Sequence, residues 1–103
     1  MSAASMRFTF LACADLRRIW ESIAMPTDPY AGNAPERLEQ AQAFAERFTR
    51  HCELLSENPD AGAERNDLVH GLRSSPFQKY EIWYRSRGAM VEVVRVLRAS
   101  NLG

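Results

Sequence analysis

The chain has 103 residues, of which 46% are apolar and 25% charged, a composition that suits one globular domain with its own core. It has neither the roughly 20 consecutive apolar residues of a membrane span nor an export signal at its start, which predicts a cytoplasmic domain over residues 1–103 without membrane contact. The formal net charge is zero, which argues against a generic nucleic-acid coat protein.

The charges are unevenly distributed along the chain. Residues 1–67 carry seven arginines and eleven acidic residues, a net charge of −4, whereas residues 68–103 carry six basic and two acidic residues, a net charge of +4. The last third therefore predicts a basic surface on an otherwise acidic domain. Ordinary solvated charges on a strand face are the alternative explanation.

The two cysteines, Cys13 and Cys52, do not form a C-x-x-C pair. We expect both to be reduced and structural, because unpaired cysteines in a reducing compartment usually behave as small buried hydrophobic residues. His51 and Cys52 would point about 100° apart on a helix, and His70 lies far along the chain, so the sequence predicts no metal site. No motif indicates a cofactor.

The first predicted elements are a short strand and an amphipathic helix. Residues 6–11 begin with alternating apolar and polar side chains, as a strand would. The helix that follows has an apolar stripe with one-face spacing. This stripe consists of Leu16, Ile19, Trp20, Ile23 and Ala24. Asp15 suits the first turn of this helix, Pro26 marks its end, and the Pro- and Gly-containing segment 25–33 predicts a loop.

A second, longer helix is predicted from Pro35 to Glu57. Asn33 can cap it, and Glu36 stands three residues later, as in a capping box. Asn58-Pro59 predicts its end. Apolar residues spaced alternately by three and four form a seam for packing against the first helix. The seam consists of Leu38, Ala41, Ala45, Phe48, Cys52 and Leu55.

Three strands are predicted after a polar, turn-rich segment at residues 59–67. They are Leu68–Phe77, Tyr80–Arg85 and Met90–Arg98, joined by short turns, and the last reads as a central strand because it is apolar on both faces. The element order is then β-α-α-β-β-β. It predicts an α+β domain with a helical hairpin packed on one face of a small, mainly antiparallel sheet.

This order and several local strings resemble the ParE/RelE superfamily of toxins from type II toxin–antitoxin systems, and its ParE branch most closely. The strings are ADLRRIW at residues 14–20, LLSENP at 54–59, YEIWYR at 80–85 and VEVVRVL at 91–97. The resemblance covers nearly the whole chain. The sequence departs from the family at Arg98, where the last strand of members often ends in a histidine.

The resemblance implies a toxin that poisons DNA gyrase by binding. It also implies a cognate ParD-like antitoxin that pairs a ribbon-helix-helix domain with a tail folding along the toxin, so that DNA is contacted only through the antitoxin or the gyrase complex. RelE members are ribosome-dependent mRNA endonucleases, which makes nuclease activity the first alternative. A diverged, non-toxic protein-interaction module is the second.

RNA cleavage needs a general base, a general acid and cations around the reacting phosphate. No His or Tyr follows Tyr84, and arginine is a poor proton donor. The remaining candidates for proton transfer are His70, Tyr80 and Glu81. Exposure or local hydrogen bonding explains His70 better. Core packing explains Tyr80 better, and a cross-strand ion pair explains Glu81 better. The sequence therefore favours a binding inhibitor over an enzyme, and we predict no catalytic residues.

A binding toxin needs only a rigid face with charged and aromatic anchors. We expect the basic side chains of the last strands to bind the target, because arginine pairs well with phosphate and carboxylate. These are Arg73, Arg85, Arg95 and Arg98. Large apolar side chains on the hairpin and the sheet are the expected anchors for the antitoxin. These are Leu16, Trp20, Trp83 and Tyr84.

Overall fold

Two helices cover one face of a five-stranded mixed sheet in the computed structural model, which describes residues 5–99. The elements are β1 (Ser5–Phe8), α1 (Phe10–Ala24), α2 (Ala34–Glu57), a 3₁₀ turn (Pro59–Ala61), β2 (Ala63–Glu64), β3 (Arg73–Phe77), β4 (Tyr80–Arg87) and β5 (Met90–Arg98). The strand order is β1-β5-β4-β3-β2, with β1 parallel to β5 and every other pair antiparallel. The predicted α+β class, helical hairpin and mainly antiparallel sheet are confirmed.

Helix α1 begins earlier than its sequence suggests, because Thr9 caps it and ties it to the sheet. The Thr9 hydroxyl accepts the N–H of Ala12 at 3.1 Å and donates to the carbonyl of Val94 at 2.7 Å. The helix therefore includes Phe10 and Leu11, which the alternating pattern had placed in a strand. Asp15 consequently lies beyond the first turn, and the prediction that it serves the helix start is wrong.

Helix α2 has the predicted start and end. The Asn33 side chain accepts the N–H of Glu36 at 3.0 Å, which confirms the predicted cap. Its amide, rather than the main-chain N–H that a capping box uses, donates to the Glu36 carboxylate at 3.3 Å. The predicted apolar seam is partly wrong, since Leu38 and Ala45 are exposed while Phe44 is buried. Alternating spacings of three and four residues give a narrow apolar seam that suits contact with a single helix. Helix α2 packs against both α1 and the sheet, so it buries a wider face.

The region between α2 and β4 differs most from prediction. The predicted strand Leu68–Phe77 begins only at Arg73, because Leu68 and Val69 lie in a turn whose N–H groups bond to the Arg65 carbonyl. The short strand β2, which the polar segment did not predict, pairs with the start of β3. The sheet thus gains a fifth strand at its edge.

The core between the helices and the sheet is largely aromatic. The ring centroid of Phe44 lies 5.6 to 6.1 Å from those of Phe48, Phe77 and Tyr80, and the centroids of Phe48 and Phe77 are 5.6 Å apart. Most of these contacts are edge to face. The largest fully buried side chains come from the central strands β4 and β5. These are Ile82, Tyr84 and Val93, and Tyr80 of β4 is also buried. The predicted core face of β4 is therefore confirmed.

Within residues 5–99, neither helix is long and apolar enough to cross a membrane.

The two cysteines are both free thiols but occupy different environments. Cys52 is buried in the core, as expected, where burial and the nearby charge of Glu53 raise the pKa of its thiol to about 12. Cys13 is exposed on α1, so the expectation that it is a buried structural residue is wrong.

This difference predicts two rates of thiol labelling in the folded protein. A thiol reagent should modify Cys13 within minutes and Cys52 only after unfolding, because the thiolate is the reactive form and Cys52 rarely reaches it. Cys13→Ser should abolish the fast reaction. Fast labelling that survives this substitution would contradict the burial of Cys52.

Candidate functional site

Asp15 is the centre of a hydrogen-bonded network that joins α1 to β5. It is 3% exposed, and its Oδ2 accepts from Arg95 Nε at 2.8 Å and from the Val96 N–H at 3.0 Å. Its Oδ1 accepts from Arg95 Nη2 at 3.0 Å and from Arg18 Nη2 at 2.7 Å. One buried carboxylate therefore binds two guanidinium groups and a main-chain amide.

The partners of Asp15 keep it ionised. Burial alone would raise its pKa, but the hydrogen bonds from Arg95 and Val96 and the positive charges of Arg95 and Arg18 outweigh burial, so its pKa is lowered. The hydrogen bond to Asp15 in turn raises the pKa of Arg95. The network is thus a charged pair with fixed geometry, since the arginine fork meets the carboxylate through two nitrogens.

The location of this network follows from the length of β1. That strand pairs with β5 only as far as Val93, opposite Phe8, so the rest of β5 has no neighbouring strand on that side. Asp15 takes the place of a strand carbonyl by accepting the N–H of Val96. Sequence reasoning missed Asp15 as a site residue because nothing local relates it to a strand 80 positions later.

Among the predicted target-binding residues, Arg73 is held by the segment that leads into β2. Its guanidinium donates to the carbonyl of Gly62 at 2.8 Å and lies 3.4 Å from the carboxylate of Glu64 and 3.6 Å from that of Asp60. It is therefore neutralised by acidic residues from outside the basic third of the chain.

The basic residues of β4 and β5 are also mostly paired. Arg85 lies 2.9 Å and Arg87 3.6 Å from the carboxylate of Glu92, a buried residue on the neighbouring strand. Hydrogen bonding from Arg85 lowers the pKa of Glu92 despite this burial. Together with Arg73 and Arg95, four of the six basic side chains in residues 68–103 are paired. The predicted basic surface is therefore much reduced, and within residues 5–99 only Lys79 and Arg98 of the six lack a carboxylate partner.

Tyr84 cannot serve as the predicted antitoxin anchor, because its side chain is fully buried. Its hydroxyl donates to the Pro59 carbonyl and accepts the Gly62 N–H, both at 2.8 Å. The predicted role is wrong for a physical reason. A large residue that alternates with Tyr80 and Ile82 on one strand face belongs to the core.

The other three predicted anchors do not form one patch. Trp20 is 38% exposed on α1, while Leu16 on the same helix is half-buried and packs against the core. Trp83 lies on β4, where strand alternation directs it to the face opposite Tyr84 and away from the helices. Its indole N–H donates to Glu81 at 3.1 Å.

The side chains considered for proton transfer have structural surroundings. Tyr80 is buried in the aromatic core, and Glu81 accepts from Trp83 and lies 3.6 Å from Arg65. An ion pair of Glu81 was predicted, but its partner is Arg65 rather than a residue of the neighbouring strands. His70 is exposed in the turn before β3. No three His, Cys, Asp or Glu side chains are grouped for metal binding in the part of the chain that the structure describes.

A groove of about 390 Å³ runs between α1 and the end of β5, beside the Asp15 network. Arg18 and Arg98 lie at its rim, and Ile19, Tyr80 and Leu97 provide apolar surface. Arg18 keeps 68% of its side chain exposed although it bonds to Asp15. The groove therefore combines two solvent-accessible cations with a partly apolar wall.

Comparison with known proteins agrees with the fold and with the strings in the sequence. The family model described as the ParE toxin of the type II toxin–antitoxin system parDE matches residues 6–103. A chain from a structure of the chromosomal ParDE TA system from P. aeruginosa has a similar fold, with a TM-score of 0.66 and 20% sequence identity over 93% of this chain and 96% of that one. No curated protein is similar enough in sequence to count as a relative.

Proposed function

Because this chain belongs to the ParE toxins of type II toxin–antitoxin systems, we propose that it poisons DNA gyrase in the cytoplasm by binding, and that a ParD-like antitoxin neutralises it. The antitoxin partner follows from the kind of system to which the family belongs. The gyrase target is the one that the resemblance to ParE toxins implies. The last strand supports it by favouring a binding inhibitor over an RNA-cleaving enzyme.

Arg98 is the observation that carries the proposed binding mechanism. It lies at the end of β5, is exposed, and has no carboxylate partner among residues 5–99. Arg85 on β4 and Arg95 on β5 are each paired with a carboxylate, yet 39% of the Arg85 side chain and 30% of the Arg95 side chain remain exposed. We propose that Arg98 makes the main contact with the anionic gyrase–DNA complex and that Arg73, Arg85 and Arg95 support it from fixed positions.

The chemistry of the neighbouring residues supports binding over RNA cleavage. Cleavage would need a group near Arg98 that exchanges a proton near neutral pH. Tyr80, which pairs with Arg98 across the strands, is packed into the core. A binding inhibitor has no such requirement, because a rigid cation on a strand end is sufficient for it.

The exposed apolar side chains of the hairpin support an antitoxin that covers α1. Phe10 is 85% exposed and Leu11 51% exposed, and both lie on the helix that carries the predicted anchor Trp20. An apolar stretch of this kind fits an antitoxin tail that folds on binding. We therefore retain Trp20 as an antitoxin anchor, with the half-buried Leu16 beside it on the same helix, and exclude the buried Tyr84. Trp83 would need a separate contact, because it lies on the sheet face away from the helices.

Arg98→Glu should separate the proposed mechanism from its alternatives. The wild-type protein should inhibit supercoiling by purified gyrase, and the variant should need at least about 30-fold more protein for half-inhibition, which corresponds to about 2 kcal/mol. Arg50→Glu is the matched control, since Arg50 is exposed on α2 and belongs to neither the sheet nor the groove. It should inhibit as the wild type does.

A ribosome assay provides the opposing result. Cleavage of ribosome-bound mRNA by the wild-type protein, with no effect on gyrase, would replace the gyrase proposal with a nuclease. Inactivity in both assays would favour a non-toxic interaction module. Equal losses in Arg98→Glu and Arg50→Glu would show that overall charge, rather than the end of β5, governs inhibition.

A further inference from the structure

The edge of β5 beyond Val96 offers main-chain groups to the groove beside α1. The Ala99 N–H bonds to the carbonyl of Lys79 on the β4 side at 3.0 Å. In an antiparallel pair, residues that bond to one neighbour alternate with residues that face the other edge. Leu97 therefore bonds toward β4, while the main-chain groups of Val96 and Arg98 face away from it. The bond from the Val96 N–H to Asp15 confirms this direction.

Two of these outward-facing groups lack a main-chain partner. Asp15 occupies the Val96 N–H, but the Val96 carbonyl and the Arg98 N–H face the side of β5 on which the pairing with β1 stops at Val93, so no strand among residues 5–99 pairs with them. A carbonyl followed two residues later by an N–H is the pair that one residue of a parallel strand fills. The adjoining strand β1 is itself parallel to β5, so such a strand would continue the line of β1.

The charges beside this edge select the kind of strand that fits. The single negative charge of Asp15 is shared between Arg95 and Arg18. The accessible guanidinium groups of Arg18 and Arg98 therefore leave an excess of positive charge beside the groove. Ile19 and Leu97 supply apolar surface for the neighbouring side chains of an extended segment. A carboxylate on the segment would lie between the two arginines.

We propose that the β5 edge binds an extended acidic peptide segment as a parallel strand, with its main chain on Val96 and Arg98 and its carboxylate between Arg18 and Arg98. The identification of the antitoxin as the natural source of this segment rests on the proposed function. The binding site itself does not, because it is built from the register of the sheet, the open main-chain groups and the two cations.

A short capped peptide, Thr-Val-Glu-Val-Thr, is the probe, and amide NMR of the full chain is the measurement. Titration should shift the amides of Val96–Arg98 and slow hydrogen exchange at Arg98. A matched peptide with Lys for Glu should bind about tenfold more weakly. So should one N-methylated at the Val before Glu, the residue that would lie opposite Leu97 and donate to the Val96 carbonyl, since each peptide loses one specific interaction. Absence of shifts at this edge at millimolar peptide, or equal binding of all three peptides, would overturn the proposal.

Two substitutions at Arg98 separate its side chain from its main chain. Arg98→Ala should lose the preference for Glu over Lys but remain sensitive to N-methylation. Arg98→Pro should bind all three peptides more weakly than Arg98→Ala does, because proline also lacks the N–H that would donate to the peptide carbonyl and that the pairing with β4 does not use. Arg50→Ala should behave as the wild type. Identical peptide binding by the Ala and Pro variants would exclude the strand pairing.

The peptide and gyrase experiments fail independently. Peptide binding at the edge without gyrase inhibition would remove the gyrase proposal and leave the edge site in place. Gyrase inhibition without peptide binding would remove the edge site and leave the gyrase proposal in place.

Discussion

Asp15→Ala should destabilise the fold by about 3 kcal/mol, the low end of the loss seen when one partner of a buried ion pair is removed. The substitution leaves the guanidinium of Arg95 and the N–H of Val96 without an acceptor. The low end applies because Arg95 keeps 30% of its side chain exposed and can recover water. Urea unfolding of the variant and the wild type gives the difference in free energy.

The pH dependence of that difference tests its electrostatic origin. The folded-state pKa of Asp15 is lowered, so its contribution is present above the unfolded value of about 3.9 and is lost as pH falls through the folded pKa. The difference in free energy of unfolding between the wild type and Asp15→Ala should therefore decrease as the pH is lowered into the acidic range. Glu21→Ala breaks the exposed pair with Arg17 on the same helix and should cost about 0.3–0.5 kcal/mol. Similar losses from both substitutions would contradict a special role for Asp15.

Gly62→Ala should also destabilise the protein, by about 3 kcal/mol, because there is no room for a side chain at this position. A Cβ atom on Gly62 would overlap the Tyr84 hydroxyl and lie 2.8 Å from the carbonyl oxygen of Ser74. The φ angle of Gly62 is −77°, so close approach rather than backbone conformation requires glycine here. Displacing the hydroxyl would also leave the Pro59 carbonyl and the Gly62 N–H unpaired. Thermal unfolding measures the loss.

A double-mutant cycle with Tyr84→Phe identifies the cause. Once the hydroxyl is removed, Gly62→Ala should cost clearly less, and the remaining cost should reflect the Ser74 carbonyl. Gly88→Ala is the control, since Gly88 has a φ of 63° and no neighbours within 4 Å of an added Cβ. Its cost comes from conformation alone and should be additive with Tyr84→Phe. If the effects of Gly62→Ala and Tyr84→Phe were also additive, the proposed overlap between the new Cβ atom and the Tyr84 hydroxyl would be contradicted.

Local signals predicted the fold well where a few neighbouring residues decide the structure. The cap at Asn33, the alternation of Tyr80 with Ile82, and the apolar run at Met90–Arg98 all gave elements that the structure confirms. The predictions were wrong where a contact with a residue far along the chain determines the structure. The cap at Thr9 depends partly on Val94, so the start of α1 could not be read from its own residues.

The site was less predictable than the fold for the same reason. The sequence located the basic residues of the last strands, but their carboxylate partners come from α1, from the 3₁₀ turn and β2, and from β5. Asp15 and Arg95 are 80 positions apart, and charge counting along the chain cannot detect such a pair. A surplus of charge in one segment therefore overestimated the free charge on the folded surface.

The pairing of the first strand with the last one controls when the protein can fold. β5 lies between β1 and β4, and it supplies both the partners of Asp15 and the end that carries Arg98. A chain growing from its N-terminus on the ribosome holds two helices and most of a sheet without the strand that joins them. Prematurely terminated chains would thus lack both a closed core and the proposed contact. The proposed contact at Arg98 can therefore form only after β5 has been synthesised and has inserted between β1 and β4.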